Sequence, residues 1–338
     1  AADRVEKLCG ANRFFDFCAG TSNVVRFFKA KNYQVISSDL LYFSYVLQKA
    51  YIVNNEIPKF EKLLQSINIK SNKLFASEFD LVYEYLNNLT GIEGFIYKNY
   101  TPEGTKHLKQ PRMYFIDENG KKIDAIRQKI EQWKIEQLIN ENEYFILLAV
   151  LIESVPFYAN ILGVYAAFKK DWDVRALKKL DLKPIKLLQN EQKNYAFNKN
   201  SVELLDKFEF DIIYIDPPYN QRQYAPNYHL LETIAKYDNP KIKGVSGMRN
   251  YEKQKSNFCN KVKALLELEK ILQSQNYKHL LLSYNNEGIM QQDKITKLME
   301  KYGDLQIVEY DYLRFKSNNN GQAKNKKYIK EMLYILTK

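Results

Sequence analysis

Apolar positions cluster in short unbroken runs toward both ends of the chain and recur at helical spacing through its middle. Runs bounded by Gly, Asn, Ser or Asp predict strands at Arg13–Cys18, Gln34–Ser38, Phe210–Ile215, His279–Tyr284, Leu305–Tyr312 and Tyr328–Leu336. A loop at Ala19–Asn23 and a helix to about Lys31 join the first two, and a further helix runs through Tyr51. In the middle, Ile123, Ile126, Ile130, Trp133 and Leu138 share one helical face, with Arg127, Lys129 and Lys134 off it. The run from Tyr144 to Ile152 ends at Glu153 and Pro156, well short of the ~18 residues of a membrane span, so it reads as a buried helix. Asn160–Phe168 reads as a further core helix. Helices separate the strands near 210, 279 and 305, and the last two strands flank an Asn-rich loop as a hairpin. Strands and helices alternating on either side of a helical middle predict an α/β protein with one mostly parallel sheet. The expected domains are a sheet domain of residues 1–60 and 181–338 and an inserted, mainly helical domain of residues 61–180.

Composition narrows this picture only slightly. At 338 residues and 45% hydrophobic content the chain buries a real core and is not disordered. Cys9, Cys18 and Cys259 are far apart and form no C-x-x-C pair, so no disulfide framework and no metal site is expected. The opening residues show no basic-then-apolar leader, so a cytoplasmic location away from membranes is the expectation.

The net charge is +11, which favours a polyanionic partner. Residues 61–180 carry only +1 of it and residues 181–338 carry +7. Two loops hold the excess: Lys241–Lys255, with Lys243 and Arg249, and Arg314–Lys327, with Lys324, Lys326 and Lys327. These five are expected at the phosphates of such a partner if it is a nucleic acid, leaving sequence readout to the insertion.

The sharpest motif is Asp216-Pro217-Pro218-Tyr219, directly after an apolar strand. Two prolines remove two backbone donors, so the turn offers acceptors and almost nothing else. An exocyclic amino group of a nucleobase supplies two N–H donors, one for the Asp216 carboxylate and one for the Pro217 carbonyl. Tyr219 offers a ring to stack on the base, which must leave the duplex to get there. The plainer alternative is an Asp-Pro turn with a surface tyrosine. A second motif, Asp16-Phe17-Cys18-Ala19-Gly20-Thr21, closes the first strand, and Ser38-Asp39-Leu40 closes the second. Glycine in the first turn permits close approach of a ligand, and an acid after the next strand suits ribose hydroxyls. Asp16 repels pyrophosphate and attracts an ammonium or sulfonium, and S-adenosylmethionine carries both together with a ribose. An ordinary structural turn remains the alternative for this motif taken alone.

With Tyr42-Phe43-Ser44, Tyr114-Phe115, Ile123 to Arg127, Ala159-Asn160, Gly163 to Phe168, Asn227-Tyr228-His229 and Ser283 to Gly288, these motifs resemble the alpha-group, Dam-type N6-adenine DNA methyltransferases, and most closely the FokI-type modification methylases. The resemblance covers most of the chain. It implies a Rossmann-like, S-adenosylmethionine-dependent methyltransferase sheet. It also implies cofactor binding by Asp16 to Thr21, Asp39 and Leu40, with Asn200 as a further polar contact, and catalysis by Asp216 to Tyr219. Arg112, Tyr114, Arg127, Gln223 and Tyr224 are expected at DNA, with a solvated helix face the favoured alternative for Arg127, and a cognate restriction endonuclease is the expected partner in the same system. Cys18 stands where the family usually has Phe, Ser22 stands where it has Gly, and the fifteen residues before Asp16 do not contain the Gly-Ser-Lys segment expected about thirty residues upstream of the first motif. Two alternatives stay open: N4-cytosine methylation, and a vestigial fold acting only in DNA binding.

Overall fold

A computed structural model describes residues 10–67, 77–313 and 328–338. Its strands are β1 (Arg13–Asp16), β2 (Gln34–Ser38), β3 (Tyr195–Phe197), β4 (Phe210–Ile215), β5 (Ile242–Lys243), β6 (Met248–Arg249), β7 (Tyr277–Asn285), β8 (Asp304–Leu313) and β9 (Tyr328–Thr337). Seven form one sheet in the order β3-β2-β1-β4-β7-β9-β8, and β5 pairs with β6 in a separate ribbon. The five strands from β3 to β7 are parallel, whereas β9 is antiparallel to both β7 and β8. This is the expected mixed α/β architecture, including the final hairpin.

The described chain divides into two compact units. The first holds the seven-stranded sheet and comprises residues 10–40, 190–224, 255–313 and 328–338; the second comprises residues 41–67, 77–189 and 225–254. Residues 41–60, 181–189 and 225–254 therefore group with the second unit, where the sequence had placed them with the sheet. In the first unit Phe15, Ile36, Ile213, Ile215, Leu280 and Leu282 alternate along their strands into one buried cluster with Leu268 and Ile271 of the helix Lys263–Gln273. Asp211 anchors the start of β4. It accepts the N–H groups of Asn12 and Arg13 and pairs with Lys278 at 2.8 Å. Burial opposes its ionisation, but those partners prevail and hold its carboxyl down at about 2.

The second unit is mainly helical, with helices at Tyr42–Gln48, Glu61–Ile67, Glu78–Asn87, Phe95–Tyr100, Asp117–Ile135, Glu141–Ser154 and most of Tyr224–Lys236. The apolar run at 144–152 is the buried core of the helix Glu141–Ser154, started by a reciprocal cap between Asn140 and Glu143. Asp124 starts another helix by accepting the N–H groups of Ile96 and Tyr97. Two readings fail here. Leu138 lies beyond the helix Asp117–Ile135, and Asn160–Phe168 is a loop rather than a helix, closed by an isolated bridge between Ile161 and Phe168. In that loop Asn160 accepts from the Asp173 N–H and donates to the Lys169 carbonyl, offering its backbone an alternative to helix. Among the described residues no helix is long and apolar enough to cross a membrane.

Candidate active site

Because β2, β1 and β4 are parallel neighbours, their C-terminal ends open at one edge of the sheet, where the strand order reverses direction about β1 and β4. That is where an open α/β sheet leaves a crevice for a ligand. The register pairs Asp16 with Ser37 on one side and with Tyr214 on the other, so Asp16, Asp39 and Asp216 gather at this edge. The structure thus brings together the two acidic motifs that lie about two hundred residues apart in sequence.

The turn after β1 is held by its own polar groups. Phe17 N–H donates to the Tyr214 carbonyl at 2.9 Å, Ala19 N–H to the Ser38 carbonyl at 3.1 Å, and Cys18 N–H to Asp16 Oδ1 at 3.2 Å. Gly20, at φ 49°, turns its N–H onto Asp39 Oδ2 at 2.9 Å. A β-carbon is disfavoured at that φ, which is the reason glycine stands there. Thr21 is exposed and Leu40 half-buried. Burial pushes the Asp16 carboxyl up to about 8 against the Cys18 N–H, and Asp216 and Asp39 add to the rise. Burial and the same three acids also push the Cys18 thiol well up, which makes it a poor nucleophile.

Asn200 uses its side-chain oxygen locally: Oδ1 accepts the Val202 N–H at 3.2 Å and starts the short helix Ser201–Leu204. The edge also depends on residues that sequence reading passed over. Ser201 donates to the Phe17 carbonyl at 2.6 Å, and Phe197 of the three-residue strand β3 accepts the Asp39 N–H at 3.1 Å.

The turn after β4 is built the opposite way. Pro217 and Pro218 are buried, whereas Asp216 and Tyr219 are exposed, Tyr219 by 41%. Among the described residues no group donates a hydrogen bond to the Asp216 carboxylate or to the Pro217 carbonyl. Solvent reaches Asp216, yet crowding protein atoms strip much of its hydration and, with Glu331, hold its carboxyl up at about 6. The Tyr219 carbonyl accepts the Ile289 N–H at 2.9 Å. Gly288, just before Ile289, packs so close to Tyr284 that a β-carbon there would lie 2.1 Å from the ring. No group of three or more His, Cys, Asp or Glu side chains among the described residues is placed to share a metal ion.

Residues 3–298 match the D12 class N6 adenine-specific DNA methyltransferases. The chain belongs to this family. It is 42% identical over 318 residues to the Type II methyltransferase M.FokI of Planomicrobium okeanokoites, covering 93% of this chain and 47% of the relative. It is 39% identical over 328 residues to the modification methylase StsI of Streptococcus sanguinis, covering 96% of this chain and 48% of that one. The Type II methyltransferase M.NlaIII of Neisseria lactamica is 38% identical over 328 residues, with 96% of this chain and 90% of the relative covered. The chain therefore spans about half the length of the first two relatives and nine-tenths of the third.

Several residues expected at DNA in this D12 methyltransferase chain are committed elsewhere. Arg112 is buried and donates to the carbonyls of Asn99, Gly244 and Val245 at 2.9 to 3.0 Å. Arg127 is buried too and donates to the Ile234 and Ala235 carbonyls near the end of the helix Tyr224–Lys236. Tyr114 is fully buried with its hydroxyl on the Tyr165 carbonyl, and Arg249 forks onto Asp238 at 2.7 and 3.0 Å. These four act within the second unit, because a buried guanidinium or phenol spends its donors on protein acceptors before any phosphate arrives. His229 is likewise structural, with Nε2 2.8 Å from the Tyr165 carbonyl and burial pushing it down to about 4. Gln223 spends its amide on Ser256. Tyr224 and Lys243 remain exposed, and Lys324, Lys326 and Lys327 lie outside the described residues.

Proposed function

We propose that this chain transfers a methyl group from S-adenosylmethionine to N6 of an adenine extruded from double-stranded DNA. The observation that carries this reading is the pair of acceptors left unengaged among the described residues, the Asp216 carboxylate and the Pro217 carbonyl, with an exposed Tyr219 at the same sheet edge as Asp16 and Asp39. Two acceptors match the two N–H groups of one amino nitrogen. Accepting both draws that nitrogen out of conjugation with the ring and stabilises positive charge as it develops. With its carboxyl near 6, Asp216 is ionised at neutral pH yet basic enough to share the proton the nitrogen sheds. Tyr219 offsets part of the cost of extrusion by stacking.

The residues fit the cofactor. Three carboxyl groups crowd one edge, and burial chiefly holds Asp16 protonated, so a bound cation offsets the cost of ionising it beside Asp216 and Asp39. Asp16 and the turn to Thr21 would hold the sulfonium or ammonium end, and Asp39 with Leu40 the ribose. When bound, S-adenosylmethionine supplies an electrophilic methyl group. The chain's own residues supply orientation and charge.

The matched family is adenine-specific, which supports N6 of adenine over N4 of cytosine. Intact Asp216 and Tyr219 beside the first turn support an enzyme over a vestigial fold. Relatives named Type II methyltransferase and modification methylase support a role beside a restriction endonuclease. The second unit is the part proposed to read the target sequence. Labelled methyl transfer to unmethylated genomic DNA, followed by nucleoside analysis, tests the reading. N6-methyladenine is expected; N4-methylcytosine, or no transfer by protein that binds the cofactor, overturns it.

A further inference from the structure

The loop between Tyr219 and Tyr224 carries one cation that neither the sequence motifs nor the fold account for. Arg222 is exposed, and among the described residues its guanidinium has no hydrogen-bond, ion-pair or ring partner. Other arginines differ: Arg13 pairs with Glu209, Arg175 with Asp173, Arg249 with Asp238, and Arg112 and Arg127 cap backbone carbonyls. The Arg222 backbone, by contrast, is tied down. Its N–H donates to Asn220 Oδ1 at 2.9 Å, and its carbonyl accepts the Cys259 thiol at 3.4 Å. The next residue, Gln223, exchanges two hydrogen bonds with the Ser256 backbone, at 3.1 and 2.7 Å. Upstream, the Tyr219 carbonyl is held by Ile289 N–H. A long side chain left without partners on a backbone fixed at so many points is anchored within reach of an external anion, because the backbone entropy is already spent and only the side chain's own rotamers remain to be ordered.

We propose that Arg222 grips a phosphodiester of the target strand next to the extruded adenine; this rests on the adenine-methylating reading above. Three residues of chain span at most about 10 Å, so Arg222 lies within one or two nucleotides of a base stacked on Tyr219. Extrusion rotates a nucleotide about its own backbone, and holding a neighbouring phosphate fixes the pivot. A guanidinium matches two phosphate oxygens at once, which a lysine does not.

The test uses a duplex oligonucleotide containing a site mapped as methylated in plasmid DNA by the wild-type protein. For Arg222→Ala the KM for DNA is expected to rise about tenfold with kcat and cofactor affinity nearly unchanged, and the salt slope of binding to fall by about 0.9. Arg222→Lys should restore the salt slope but only part of the affinity. Replacing the phosphates flanking the adenine one at a time by neutral methylphosphonates should weaken the wild type at one position and leave Arg222→Ala indifferent there. Equal affinity and slope for wild type and Arg222→Ala overturn the assignment, as does a loss that adds to that of every methylphosphonate. A changed set of methylated sites in Arg222→Ala identifies a base reader and also overturns it. If the wild type methylates nothing, the functional reading fails first and this assignment with it.

Discussion

The two turns at the sheet edge follow neighbouring parallel strands, yet they use backbone polarity in opposite ways. After β1, the N–H groups of Phe17, Cys18, Ala19 and Gly20 are all spent inside the protein, two of them on the carboxylates Asp16 and Asp39. After β4, two prolines remove the donors, and the Asp216 and Pro217 oxygens receive none among the described residues. The first turn is a finished scaffold whose surplus is a buried carboxyl that a cation would ionise; the second is an unfinished one whose surplus is acceptors. A cation with hydroxyls suits the first, and an N–H donor pair suits the second. Separate chemistries on adjacent strands predict that damage to one turn leaves the other's ligand almost untouched.

The largest effect expected of that separation is at Asp216. Asp216→Ala should lower methyl transfer by roughly 10³-fold or more, since both hydrogen bonding and charge stabilisation at the amino group are lost, while cofactor affinity measured by titration stays within about twofold. Asp39→Ala should show the converse. Losing hydrogen bonds to a charged acceptor costs about 1.5–3 kcal/mol, so cofactor affinity should fall by ten-fold to a hundred-fold with transfer at saturating cofactor largely kept. Equal effects on both quantities in both variants would erase the distinction between the turns.

How much of this was legible follows the range of the interactions. The acids closing β1, β2 and β4 could be read because each follows an apolar run whose end is visible locally, and parallel pairing then forces them together. The fates of Arg112 and Arg127 could not. Their acceptors lie 133 and 107 residues away, at Val245 and Ile234, so helical spacing gives no sign that they are buried. β3 is three half-buried residues, too short to show a period, yet its Phe197 carbonyl places Asp39. Asn160 read as part of a helix because its neighbours are apolar, whereas its own amide organises a loop.

Proton linkage sharpens the same comparison at the next scale of effect. Folding raises Asp16 from the ordinary carboxylate range, near 3.9, to about 8, chiefly by burial. The folded state therefore binds this proton more tightly than the unfolded chain. The resulting stability is present at low pH and is lost as pH climbs from about 4 to about 8. A cation bound at the first turn reverses this, so the gap in Tm with and without S-adenosylmethionine should widen between pH 6 and pH 8. Transfer should instead follow Asp216, rising about tenfold per pH unit up to about 6 and levelling above it. A single pH profile shared by Tm gap and transfer would mean that one carboxylate serves both turns.

The smallest effect expected is at Gln223, which touches neither ligand in this scheme. Its amide exchanges two hydrogen bonds with the backbone of Ser256, and each such bond contributes about 0.5–1.5 kcal/mol. In Gln223→Ala the second turn keeps its prolines and its tie from Tyr219 to Ile289 but loses the clamp beyond Arg222. Misplacement of the stacking ring then lowers transfer by a few-fold to tenfold, because alignment and not a reacting group has been lost. Cofactor affinity and the pH profile should not move, since neither Asp16 nor Asp216 has changed its surroundings. Gln223→Glu keeps an acceptor for the Ser256 N–H but loses the donor to the Ser256 carbonyl, so it should fall between the wild type and alanine if the clamp is what matters. If Gln223→Glu is as active as the wild type, the second bond contributes nothing; if Gln223→Ala shifts the pH profile, Gln223 acts on Asp216 directly and the second turn is less self-contained than its prolines imply.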